Sequence, residues 1–276
     1  MSNFCIVSDN AADRSITVAS TTAGAFVVGN LQSDAKSVVW RSTATNATLQ
    51  ASWFNPENIG AVILPFTNLT QAATIRVQAY SDNAGMVLVY DSGVVSACPA
   101  QPASLRGFTA LQAQSAYAYG GGAYARLYFP SNIFVQNVLI TLSDSTNATG
   151  YIEASRLIIG NCWSSTYNAD LGATVTFQDT GKNSRTDAGD LITDTGSKNR
   201  KISIKISLMP PVDRTALASI LRNSGFGNPI FMSIFPSNID KELERDYQVY
   251  GKITTMSAMA ITTYNAYTAP IDIEEV

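Results

Sequence analysis

The residue types that carry most protein chemistry are thinly spread in this sequence. Histidine is absent. That removes the commonest general base, the commonest zinc ligand and the Ser-His and Cys-His arrangements. Cys5, Cys98 and Cys162 lie far apart with no CxxC spacing. Zinc is therefore not expected, and an odd count argues against a disulfide framework, so all three read as free, mostly buried thiols. Acid–base hydrolysis of a glycan needs a pair of carboxylates. Glu153 on a strand and Asp144 at a strand end are the candidates in the ordered core. Both read as structural, with Glu153 facing outward or packing on Arg156. Asp179, Asp187, Asp190 and Asp194 offer the oxygens that calcium favours. Their spacing does not match an EF-hand, and Lys182, Arg185 and Lys198 sit among them, so the stretch reads as a solvated loop. Gly120-Gly121-Gly122 lacks the Lys-Ser/Thr of a phosphate loop and opens no helix. No serine sits in a GxSxG setting. These residues give no catalytic group, cofactor or metal, and the chain is not read as an enzyme.

Contact chemistry is better represented. Residues 98–124 form a long, weakly patterned segment that holds Tyr117, Tyr119 and Tyr124 around the glycine run. The segment reads as a solvated excursion between sandwich strands; the alternative is a contact surface formed by the three tyrosines, since tyrosine suits interfaces and a loop of this length is often functional. The second segment, 178–198, is rich in Gly, Asp, Thr and Ser and reads as a mobile hairpin or arm, with Arg185 and Asp187 as its contact residues. Trp53-Phe54 is a further aromatic pair that could stack on a sugar.

The elements that must position these residues are strands. Leu49, Ala51 and Trp53 alternate with polar neighbours, as do Ile75, Val77 and Ala79, and Val138, Ile140 and Leu142. Asn55-Pro56-Glu57-Asn58 reads as a turn, and Pro65 and Pro130 read as strand ends. The stretch 133–160 reads as two long antiparallel strands joined by the polar loop 144–150, which a partner sheet must cover. About eight strands through residue 160 indicate a sandwich or jelly roll. The character then changes. Residues 200–208 alternate, with Ile202, Ile204, Ile206 and Leu208 on one face. Pro210-Pro211 stops that strand, and Asp213 caps a helix over 213–223 that Gly225 ends. Strands follow at 229–235, 247–255 and 257–264, with a charged loop at 240–246 and an acidic tail from 269. The fold expected is mainly β: a jelly-roll sandwich over 1–165, then a smaller β-rich subdomain over 166–276 with one helix and the arm 178–198.

Composition agrees with this class. Over the 276 residues, hydrophobic residues make up 46%, charged residues 14%, and the net charge is −3. No basic field exists to attract nucleic acid. No apolar run approaches the roughly 20 residues of a membrane-spanning helix. The first residues lack a secretory pattern, and the chain is expected to be made in cytoplasm.

A set of short motifs carries a resemblance. They are Asn10 with Asp13, Asn30-Leu31, Trp40-Arg41, Asn68-Leu69 before Ile75-Arg76-Val77, Tyr90-Asp91-Ser92-Gly93, and Gly150 to Glu153 with Arg156 to Gly160. Together they resemble the discoidin-type, galactose-binding-like jelly roll of structural proteins in tailed bacteriophages. Trp40 would plug its core, and Arg76 and Arg156 could satisfy loop carbonyls or carboxylates. The later part, on Gly189, Arg200, Pro236 and Tyr250-Gly251, is similar to the C-terminal part of phage tail-tip components. The resemblance implies a virion structural protein akin to a distal tail protein. It would be a ring subunit assembled in the host cytoplasm, its partners being itself and other phage tail proteins. The alternative is a carbohydrate-binding module for host surface glycans. Neither implies nucleic acid or membrane insertion.

Overall fold

The computed structural model describes residues 3–99 and 122–276. The chain is mainly β and folds around two sheets with separate cores. The first core gathers buried residues from Ala11 to Ile159, with Trp40, Leu49, Ile75, Ile140, Leu157 and Ile159 fully shielded. The alternating positions in 49–53, 75–79 and 138–142 all face inward, as a half-buried strand requires.

Two long strands organise this jelly roll, Asn46–Thr67 and Ala123–Ser143. They pair antiparallel from Asn46↔Ser143 to Thr67↔Ala123, with irregularities at Ser52/Glu57, Ile59/Ala61 and Leu64/Thr67. The prolines expected to break these strands sit inside them. Pro56 and Pro130 fall where the register shifts, and Pro65 lies in the last irregular stretch. A bulge frees an amide from the ladder and bends the strand. Each long strand therefore curls the sheet rather than ending. The expected hairpin over 133–160 does not form. The partner of Ala123–Ser143 is Asn46–Thr67, with Thr74–Tyr80 on its other side. Residues 151–160 give only Glu153–Ala154 and Ile158–Gly160, which pair with Trp40–Arg41 and Asn46–Thr67. Alternation marks a strand but does not name its partner.

The second sheet runs Cys5–Val7, Ile230–Ser233, Gln248–Thr255, Ala266–Glu275, Lys198–Met209 and Thr174–Asp179. Its first strand comes from the chain start, although the expected boundaries put residues 1–165 in the jelly roll. Cys5 pairs with Ser233 and Val7 with Phe231. The stretch read as an acidic tail is a central strand, with Ala269, Ile271 and Ile273 buried. The 198–209 strand breaks its alternation between Ile206 and Met209. Leu208 takes φ +56° and is exposed, while Met209 is buried in its place.

One helix, Pro211–Ser224, covers this sheet, two residues earlier than expected, with proline in its first turn. Asp213 does not cap it. Its carboxylate accepts from Ser165 Oγ at 2.9 Å and Thr166 N at 2.7 Å. A second, short helix occupies Lys241–Asp246, where a loop was expected. Asp240 caps it by accepting from the amides of Glu242 and Leu243. At six residues it is too short to show a helical period.

The arm is a hairpin. Lys182–Arg185 pairs with Leu191–Asp194 as an isolated two-stranded sheet, every residue of it exposed. Cys5 and Cys162 are joined in a disulfide, their Cα atoms 5.4 Å apart, which overturns the expectation of free thiols for this pair. Their separation of 157 residues hides such a pairing from any local pattern. Cys98 is buried and outside the disulfide.

Candidate functional site

A third cluster forms the seam between the two cores. Cys5, Val7, Ile63, Phe66, Tyr124, Phe231 and Tyr250 pack there. Buried polar groups lock it. Arg126 donates to both oxygens of Glu244 at 2.8 and 2.9 Å. Arg200 and Tyr124 share the Glu275 carboxylate, with Tyr124 Oη at 2.6 Å. Such pairs are costly to desolvate and hold one geometry once formed. Tyr124 is thus a buried seam residue, only 3% exposed. Its expected place on a contact surface is corrected. Burial and the neighbouring Glu275 carboxylate raise its phenol well above the ordinary range.

Along one side of the seam the surface opens into two adjoining clefts of about 280 and 350 Å³, which share Ser8, Asp9 and Arg14. Local sequence fixes their polar groups. Asn10 caps the short turn Ala11–Arg14, its Oδ1 accepting from Ala12 N at 3.2 Å and Ile159 N at 2.9 Å. Its Nδ2 donates to Leu157 O and to Asp13 Oδ1. Ala11 and Ala12 are small and buried, so the turn lies flat on the jelly roll. Gly160 lets Asp9 cross it, since a Cβ there would meet Asp9 O at 2.3 Å.

This arrangement aims two guanidinium groups at four carboxylates. Arg14 donates to Glu57 at 2.6 and 2.8 Å and to Asp9 at 2.7 and 2.9 Å. The hydrogen bonds it donates to Glu57 and then to Asp9 raise the Arg14 pKa, so its charge is fixed. Arg156, 4% exposed, reaches Asp13 at 2.7 Å and Asp34 at 2.9 Å through Nη2. Its Nε donates to Tyr250 Oη at 3.2 Å, and that hydroxyl donates to Asp34 at 2.9 Å. Arg156 Nη1 is buried and makes no hydrogen bond to the described residues. Burial raises the Asp13 carboxyl, and Arg156 opposes that rise. Asp13 and Asp34 remain about half exposed, at 44% and 49% of their side chains. Trp163, packed edge-on against Phe4, lines the neighbouring cleft.

The sequence candidates fall elsewhere. Asp144 is buried and accepts from Thr70 N and Oγ1, both at 2.7 Å, which clasps two loops. Glu153 pairs with Arg41 at 2.6 Å, not with Arg156. Arg76 grips Asp91 on the surface. Trp53 is buried and donates to Ala11 O, while Phe54 is 89% exposed. Arg185 and Asp187 sit exposed near the hairpin tip, with Arg185 donating to Gly189 O at 2.8 Å. Tyr117 and Tyr119 lie outside the described residues. Asp9, Arg14, Asp34 and Glu57 carry no recognisable site pattern in the sequence. The Asn10/Asp13 pair and Arg156 belong to two separate motifs, because 143 residues separate Asp13 from Arg156.

No family model and no curated protein matches the chain. Solved structures share part of it at low similarity. A GH29 fucosidase of Ruminococcus gnavus in complex with fucose is 11% identical over 56% of this chain and 27% of its own, with a TM-score of 0.39. The chitosan-binding module 1 of a Paenibacillus sp. IK-5 chitosanase/glucanase is 12% identical over 55% of this chain and 98% of its own, with a TM-score of 0.38. A Streptococcus pneumoniae fucose binding module, SpX-3, is 10% identical over 55% and 96%, with a TM-score of 0.36. This chain therefore spans about a quarter of the fucosidase and nearly all of each module. The class is set by the strand pairings themselves: a jelly-roll β protein carrying a second β-rich unit.

Proposed function

We propose that the chain recognises a glycan in the seam clefts. The observation that carries this reading is the half-exposed Asp13–Arg156–Asp34 array beside a cleft lined by Trp163. Neighbouring hydroxyls of a sugar ring both donate and accept. Carboxylates accept hydrogen bonds from them, guanidinium groups donate the return bonds, and an aromatic ring covers the apolar sugar face. Tyr250 and Asn10 hold the array in place, so little ordering is left for the ligand to impose. A glycan array followed by calorimetry on the best ligand tests it. Asp34→Asn should weaken binding about 10- to 100-fold, matching the ~1.5–3 kcal/mol of a charged hydrogen bond. The variant should keep the wild-type circular dichroism. Absence of glycan binding, or binding untouched by Asp34→Asn, would refute the reading.

A second reading is an assembly role: a subunit of a phage tail-tip or baseplate ring, built in the host cytoplasm, joining the tail tube to tip or fibre proteins. The free-standing hairpin at 182–194 favours it, since an arm of this kind suits contact with a neighbour. Electron microscopy of the purified chain tests it. Rings support the reading, and a uniform field of single chains counts against it.

A further inference from the structure

The charged side chains that line the seam clefts do not balance. Asp9, Asp13, Asp34 and Glu57 face Arg14 and Arg156, an excess of two negative charges. The whole chain carries only −3, so the clefts concentrate negative potential. The two guanidinium groups are used differently. Arg14 donates from Nε, Nη1 and Nη2 to both oxygens of Asp9 and of Glu57, which completes its bonding. Arg156 meets Asp13 and Asp34 through Nη2 alone. It lines the cleft at 4% exposure, and its Nη1 has no hydrogen-bond partner among the described residues. Asp34 takes both Tyr250 Oη and Arg156 on one oxygen, Oδ1. A buried donor left unpaired costs free energy that a bound acceptor restores. The array is thus unfinished in two ways: a donor at its floor lacks an acceptor, and half-exposed carboxylates at its mouth outnumber the cations that face them.

We infer that this array takes a sugar bearing a free amino group, with the ammonium between Asp13 and Asp34 and the oxygen of an adjoining hydroxyl on Arg156 Nη1. The inference rests on the glycan reading and names the class of glycan. An ammonium is all donor and carries positive charge, which matches carboxylate oxygens in a cleft of net negative charge. A neutral sugar leaves that excess uncompensated, and an acidic sugar is repelled by it. A metal ion does not fit. The guanidinium groups already hold the carboxylates, and among the described residues no three ligating side chains lie close enough to share an ion. Burial raises the Asp13 carboxyl, and a cation beside it favours the charged form. The cleft of about 280 Å³ has room for a single ring. Trp163 in the adjoining cleft offers an aromatic surface to the next ring of an oligomer.

The test is calorimetry on the full chain with a glucosamine oligomer, its fully N-acetylated form and spermine. The amine form should bind at least about 10-fold more tightly than the acetylated form, the discrimination expected of a charged hydrogen bond. That margin should shrink as salt rises. Spermine, which has the charge without the ring, should bind at least about 10-fold more weakly than the oligomer, since it brings no acceptor for Arg156 Nη1. Asp13→Asn, checked for wild-type circular dichroism, should bring the two sugar forms within about threefold of each other, because it removes one of the charges facing the ammonium. If that variant does not fold, the salt dependence of the wild-type margin decides. Equal affinity for the two forms, or a margin that salt and Asp13→Asn leave unchanged, would overturn the inference. So would spermine binding as tightly as the oligomer, which is charge attraction alone. Binding of neither sugar form would overturn it too. In each case a neutral glycan whose binding still depends on Asp34 keeps the broader glycan reading standing.

Discussion

Glu275→Ala is the substitution that most directly probes how the two β units are held together. The Glu275 carboxylate accepts from Tyr124 Oη at 2.6 Å, from the Arg200 amide at 3.1 Å and from the Arg200 guanidinium. Both charged side chains are buried, 4% exposed for Arg200 and fully shielded for Glu275. Without the carboxylate, Arg200 keeps the Arg245 carbonyl at 3.0 Å and the face of the Tyr124 ring. Neither neutralises its charge. Stranding one member of a buried ion pair costs about 3–5 kcal/mol. The orphaned Tyr124 hydroxyl adds a cost of about 1–3 kcal/mol that overlaps with it. A net loss of about 4 kcal/mol is expected. Urea unfolding, followed by circular dichroism and tryptophan emission, reads it as a fall in midpoint at unchanged slope. The Arg200→Met/Glu275→Leu pair, which removes both charges and keeps the volume, should recover about half of the loss. A loss below about 1 kcal/mol for the single variant would refute the reasoning. So would a double variant as unstable as the single one.

Trp40, fully buried with Nε1 donating to Thr21 O at 3.2 Å, should cost about 3–5 kcal/mol as Trp40→Ala, read by thermal or urea unfolding. The Asp91 carboxyl is held down to about 2 by the Arg76 fork and the Gly93 amide. Its favourable contribution is therefore present above the ordinary carboxylate range and lost as pH falls through about 2. Carbon-detected NMR titration should find that midpoint, and Arg76→Ala should move it upward.

Much of the first core was legible because burial of one face imposes a period of two. Ile75, Val77 and Ala79 alternate and all point inward. The same rule failed at Leu208, where a bulge turns the chain by one residue and hands the core position to Met209. Prolines misled in the other direction. Pro56 and Pro65 signal breaks, yet the strand bends through them. The seam was invisible for a different reason. Arg126 meets Glu244 across 118 residues and Arg156 meets Asp13 across 143. No local pattern encodes such meetings. An arginine followed by apolar residues, as at Arg156-Leu157-Ile158-Ile159, hints only that its charge will be buried and must find a carboxylate.

The path of the chain has a mechanical consequence. It leaves the second sheet after Val7, builds the whole jelly roll, and returns at Trp163, whose backbone exchanges both hydrogen bonds with Ile6. The jelly roll is thus an insertion carried on two adjacent straps, not a bead on a single tether. A single tether permits swivelling, whereas paired straps resist torsion and share a pulling load between them.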